Sequence, residues 1–174
     1  MNKAFDRRSL TRRQLLTLSA AAGAAFVIGP GFVAGSGAAW AMDVVHVQPG
    51  TMATLIQMAR DIYPHDHVAD EYYAAAVKGY DNADQAKAIE DGIAALDAAA
   101  AGRGHPSYLG AGWERDRVDI LRSIEQSPFF QTIRGGLVTG LYNQKAVWPL
   151  FGYEGESYSQ GGYIDRGFDD INWI

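Results

Sequence analysis

The sequence predicts an all-α protein, a small bundle of about five helices followed by a long irregular C-terminal arm. Three observations carry that reading. Apolar residues recur at three- and four-residue spacing through most of residues 51–145, the signature of helices with one buried stripe. No alternating strand run of convincing length, internal repeat or heptad seam interrupts them. From Trp148 onward the composition changes to seven aromatic residues interleaved with five glycines, which fits neither an amphipathic helix nor a disordered tail.

The elements follow in order. Pro49-Gly50-Thr51 reads as an opening turn, with Thr51 as the N-cap. Met52, Leu55, Ile56, Ala59 and Ile62 then form a stripe, which Pro64 ends. A second helix is expected from about residue 69 to 78, with Gly79 as its stop. The third is marked by Ala86, Ile89, Ile93 and Leu96 and runs through an alanine series to Gly102. Its interior Gly92 is expected to cost stability or to mark a close contact. Residues 103–112 hold three glycines and Pro106 and read as a loop. A fourth helix is expected over residues 114–126, with Val118, Leu121 and either Ile124 or Glu125 on successive turns. Ser127-Pro128 has the order of an N-cap followed by proline in the first turn. The fifth helix buries Phe130, Ile133, Leu137 and Leu141. Glycines weaken a helix, so Gly135, Gly136 and Gly140 inside it imply close packing against another backbone.

Composition narrows the function classes. The 174 residues suffice for one domain. With 15 Lys+Arg against 20 Asp+Glu, the net charge is −5, and no basic face suggests nucleic acid. There is no cysteine. Disulfides, iron–sulfur ligation, thiol nucleophiles and c-type haem attachment are therefore excluded for this chain.

Residues 1–41 read as an export address rather than as fold. Lys3, Arg7, Arg8, Arg12 and Arg13 form a basic start, and no charged residue occurs from Gln14 to Ala41. Ala39-Trp40-Ala41 places small residues at the two positions a signal peptidase reads. Thr11-Arg12-Arg13-Gln14-Leu15-Leu16 resembles the twin-arginine pattern, in which two arginines precede two apolar residues. Arg12, Arg13, Leu15, Leu16, Ala39 and Ala41 are thus the candidate signal residues. The apolar stretch is long enough for a membrane anchor, but its glycines, proline and few large aliphatics favour a cleaved leader. The leader carries five of the 15 basic residues and one of the 20 acidic ones, so its removal leaves a net charge of −9. The expected division is a signal over 1–41, a helical bundle over 42–147 and an arm over 148–174.

Within the arm, Trp148, Phe151, Tyr153, Tyr158, Tyr163, Phe168 and Trp173 supply large apolar area on a glycine-rich backbone. Such rings fill pockets on the chain's own bundle or on a partner, and aromatic anchors dominate partner interfaces. Arg166, between Tyr163 and Phe168, suits a bidentate ion pair or a cation–π contact. His65-Asp66-His67, with Asp70 and Glu71 nearby, is the one cluster of metal-ligand types. Two histidines fall short of the three or four ligands a metal site needs, so the plainer reading is a polar loop whose acids cap the next helix. The alternative function resting on His65 and His67 is an independent periplasmic metal-binding module. No dinucleotide fingerprint, phosphate loop or nucleophile elbow occurs in the sequence. The expectation is no catalytic, cofactor-binding or metal residue in this chain.

Several pieces of the sequence carry a family likeness. They are the twin-arginine leader, Tyr63-Pro64-His65-Asp66, Ser127-Pro128-Phe129-Phe130, Leu141-Tyr142-Asn143, the run from Trp148 to Gly155, and above all Gly161-Gly162-Tyr163-Ile164-Asp165-Arg166-Gly167-Phe168-Asp169-Asp170-Ile171-Asn172-Trp173. Together they resemble the small, or gamma, subunit of bacterial FAD-dependent sugar and polyol dehydrogenases, the gluconate 2-dehydrogenase subunit 3 family. The resemblance implies a non-catalytic subunit needed for maturation, stability and co-export of a large glucose–methanol–choline-type flavoprotein. That partner would hold FAD and the catalytic histidine, and a multi-haem cytochrome c subunit takes the electrons in many such complexes. It also implies a periplasmic location, without nucleic acid and without a membrane span once the signal is removed, any membrane association coming through the complex. Members of the family commonly continue a few residues past the last tryptophan, whereas this sequence ends at Ile174.

Overall fold

The computed structural model describes residues 44–164. Within them the fold is all-helical, with five α-helices and no strand. The helices are α1 (Pro49–Ile62), α2 (Asp70–Val77), α3 (Ala86–Ala101), α4 (Glu114–Ser123) and α5 (Pro128–Tyr142). A 3-10 turn, Lys78–Tyr80, extends α2, and two more, Trp148–Phe151 and Ser157–Gln160, lie in the arm.

Helix α1 is the centre of the bundle and touches the other four helices. Its opening differs from the sequence expectation. Pro49 occupies the first turn and Gln48 is the N-cap, because proline's fixed φ and missing N–H suit the first helical position. Thr51 lies inside the helix, and its hydroxyl donates to Glu90 of α3 at 2.6 Å. Met52, Leu55, Ile56, Met58 and Ala59 are buried. Fully burying a side chain of this size is worth roughly 1.5–3 kcal/mol, so the stripe is a main source of cohesion.

Helix α2 packs on α1 and most extensively on α5. Gly79 does not stop it. The chain tightens into the 3-10 turn through Gly79 and ends at Asp81. Nor do acids cap its start: Ala69 is the N-cap, with no side-chain bond. Asp70 instead accepts from Arg60 of α1 at 2.6 Å, an ion pair across the α1–α2 corner.

Helix α3 spans the expected residues and buries Ile89, Ile93 and Leu96. Helix α4 ends at Ser123, earlier than the sequence suggests, and buries Ile120 and Leu121 while Val118 stays partly exposed. In α5 the Ser127 hydroxyl accepts from Phe130 N–H at 3.2 Å, as an N-cap should.

The helix glycines divide into two kinds. A Cβ on Gly140 would stand 2.8 Å from the Ala76 carbonyl oxygen, and one on Gly136 would collide with the Tyr80 hydroxyl. Both glycines let α5 lie directly on α2 and its 3-10 extension. Gly92 of α3 likewise makes room for the Phe129 ring. Gly135 has nothing within 4 Å and answers to no packing need.

Candidate functional site

The arm leaves the bundle immediately after Val147, which is fully buried. Its first stretch is wound around Trp148. The indole Nε1 donates to the Tyr142 carbonyl at 2.8 Å, tying the ring to the end of α5. Tyr153 meets it edge-on with centroids 5.2 Å apart, and the Lys145 ammonium lies 5.6 Å from the indole centroid, within cation–π range. Lys145 also pairs with Glu156 at 3.0 Å, and the Gln160 amide donates to the Glu154 carbonyl at 2.6 Å.

Glycine has a local purpose here. Gly152 (φ 73°) and Gly161 (φ 92°) close the two 3-10 turns in the left-handed region, where a Cβ is disfavoured. The arm is therefore a chain of tight turns rather than a freely extended strand over these residues.

Phe151 seats in a socket formed by both candidate histidines and Tyr142. Its ring centroid is 4.9 Å from His65, 5.0 Å from His67 and 5.6 Å from Tyr142. His65 Nε2 and the Tyr142 hydroxyl are 2.6 Å apart and share a hydrogen bond. Burial, and then the neighbouring His67, lower the His65 pKa below the ordinary histidine value, so the neutral ring is favoured near pH 7. The structure thus brings His65 and His67 together around a phenylalanine. Among the described residues no three His, Cys, Asp or Glu side chains gather where they could hold a metal ion.

Beyond this anchored stretch the large apolar groups of the arm's described residues face solvent. Tyr158 is 94%, Tyr163 70% and Ile164 83% exposed. Tyr153 and Phe151 keep 51% and 41% of their surface open. Trp148, Phe151, Tyr153, Tyr158 and Tyr163 therefore fall into two groups, one holding the arm to its own bundle and one uncovered. Arg166, Phe168 and Trp173 lie outside the described residues, as do Arg12, Arg13, Leu15, Leu16, Ala39 and Ala41.

Sequence reasoning missed a buried polar network. The Asp61 carboxylate takes a bidentate pair from Arg117 (Nε to Oδ2 2.7 Å, Nη2 to Oδ1 3.0 Å) and the Tyr108 hydroxyl at 2.6 Å. Gln57 adds a bond to Oδ1 at 3.0 Å, and Arg117 also reaches the Ala111 carbonyl at 3.2 Å. Burial, and then the Asp61 charge, push the Tyr108 hydroxyl well above the usual tyrosine range, so it remains a donor. Burial works against the Arg117 charge, but the bonds and charge of Asp61 outweigh it and raise the Arg117 pKa. The network joins α1, the loop before α4 and α4 itself. The expected stripe of α1 gave little signal for it, since Met58, three residues before Asp61, stood outside that stripe and is buried in the structure.

Among the described residues no helix is long and apolar enough to cross a membrane. In comparisons with known proteins, no family model, no curated protein and no solved structure matches this chain.

Proposed function

We propose that the chain is the non-catalytic small subunit of a periplasmic FAD-dependent sugar or polyol dehydrogenase, exported by the twin-arginine route together with its catalytic flavoprotein. The observation that carries the reading is the uncovered apolar surface of the arm, with Tyr158, Tyr163 and Ile164 all at least 70% exposed. Three large apolar side chains that close together on one segment are the kind of surface a partner covers. The bundle beneath is fastened independently of them by its own core and by the Asp61 network, which suits a scaffold that presents a docking segment. The family resemblance supplies the partner: a glucose–methanol–choline-type flavoprotein with bound FAD, in some complexes joined by a multi-haem cytochrome c. A leader that carries folded cargo allows the two subunits to cross as an assembled pair.

The test is export of the partner. With Arg12 and Arg13 both replaced by Lys, flavoprotein activity is expected to stay in the cytoplasm and to disappear from the periplasm. Undiminished periplasmic activity would overturn co-export.

A further inference from the structure

The chain ahead of α1 is held by two carboxylates in an arrangement the partner reading does not use. Asp81, at the end of the α2 extension, accepts from three consecutive backbone N–H groups: Val45 at 2.8 Å, His46 at 2.7 Å and Val47 at 3.0 Å. Glu90 of α3 accepts the next one, from Gln48, at 2.7 Å, and the Thr51 hydroxyl at 2.6 Å. Four successive amides are thus engaged by side chains more than thirty residues away in sequence. Val47 is buried beneath the strap. Successive N–H groups converging on one carboxylate form a strong, charge-assisted site.

We propose that Asp81 and Glu90 form a clamp that sets the N-terminal limit of processing, so that a protease removing the leader from the folded chain stops ahead of Val45. Endoproteases bind their substrate as an extended strand, pairing its backbone with their own. Amides 45–48 already have partners, and Val47 would have to leave the core, so cleavage among them requires local unfolding. Between Ala41 and the first held amide the sequence leaves Met42, Asp43 and Val44. A cut after Ala41 therefore falls outside the clamp, and one after Val45 falls inside it. Because the clamp forms only when α2 and α3 are in place, it also links the base of the leader to the folded state of the bundle. The inference adds to the leader reading and is independent of the partner's identity.

The experiment is limited proteolysis of the purified full chain with proteinase K, the new N-termini being identified by mass spectrometry. Wild type is expected to give a persistent product that begins at or before Val45. Asp81→Ala is expected to be cut between Val45 and Thr51 about tenfold faster or more, since cleavage follows the population of the open form. Glu90→Ala should shift the limit in the same direction. Circular dichroism verifies that each variant keeps its helices. If Asp81→Ala loses them, Asp81→Asn, which retains the shape and one acceptor, is read instead and should lie between wild type and full release. Wild type cut within 45–48 as fast as the variants would overturn the clamp. That result would leave co-export untouched, because the arginine-to-lysine experiment reads a different property.

Discussion

Two tyrosines of the bundle and two of the arm meet opposite fates. Tyr73 and Tyr108 are fully buried, and each hydroxyl has a partner: the Tyr63 carbonyl for one, Asp61 for the other, both at 2.6 Å. Tyr158 and Tyr163 stand in solvent. Residue type cannot account for this. In the bundle, helices and the loop they brace bring a tyrosine over other apolar groups, and a polar atom waits at its tip. Over the described residues of the arm, turns closed by Gly152 and Gly161 reverse the chain and leave no continuous face to bury. Tyr73 and Tyr108 contribute to the bundle's own stability, whereas Tyr158 and Tyr163 are left uncovered.

That contrast can be broken first from the bundle side. Asp61→Ala removes the acceptor common to Arg117 and Tyr108 and leaves a nearly buried guanidinium unpaired. Removing one partner of a buried pair costs about 3–5 kcal/mol, the largest effect expected, read as a lower midpoint in urea unfolding. A loss below about 1 kcal/mol would mean that the network is solvated rather than structural. Gly140→Val comes next. Its side chain would drive α5 away from the Ala76 backbone, at about 1–3 kcal/mol by overpacking. Gly135→Ala, on the same helix with open space around it, should instead stabilise the chain by about 0.5–1 kcal/mol. The two glycine variants measured together test whether packing or helix propensity governs α5.

Smaller still is the expected effect of the arm on the bundle. Tyr158→Ser or Tyr163→Ser should move the unfolding midpoint by less than about 0.5 kcal/mol, as for surface changes generally. A larger loss would place those rings in the chain's own fold. The slightest effect concerns pH. Burial raises the Asp81 pKa, but the N–H groups of His46, Val45 and Val47 and the nearby His46 charge together bring it below the ordinary value. A carboxyl depressed in the folded state contributes its full stabilisation above the unfolded pKa, near about 4, and loses it as pH falls through the folded value. The strap should therefore remain protected from hydrogen exchange from pH 7 down to about 4, and loosen only in stronger acid.

Much of the bundle was legible because it depends on period and punctuation. The Ile89, Ile93 and Leu96 stripe of α3, the Ser127-Pro128 start of α5 and the Pro64 boundary each follow from a local rule. The close-packed glycines were half legible. Helix weakness says that a glycine needs a reason, but only the position of α2 separates Gly140 from Gly135. The errors fell where local rules compete. Thr51 is a good N-cap by type, yet Pro49 claims the first turn and Glu90 takes the hydroxyl. Gly79 is a good stop by type, yet a 3-10 turn passes through it. The Asp61 network and the Asp81 clamp were illegible as partnerships, because residues 47 or more positions apart, or 34 to 36 apart, meet only once the helices are assembled. In the arm, abundant aromatics and glycines marked an unusual segment but not its division into an anchored and an exposed part. Phe151 seats against Tyr142, His65 and His67, while Trp148 is tied to the end of α5 by its bond to the Tyr142 carbonyl.

That division makes truncation of the arm an ambiguous test. Removing everything after Gln144 would take away Val147 from the core and the Trp148 bond to α5, so loss of binding would not be separable from loss of fold. The direct measurement is the affinity of the intact chain for a candidate catalytic flavoprotein, compared with the Tyr158→Ser/Tyr163→Ser double variant, with thermal melting of each chain alone as the control. The expected result is an unchanged melting temperature with binding weakened by about 2 kcal/mol or more, on the order of thirtyfold. Equal affinity for the two chains would contradict the assignment of the distal arm as the docking surface.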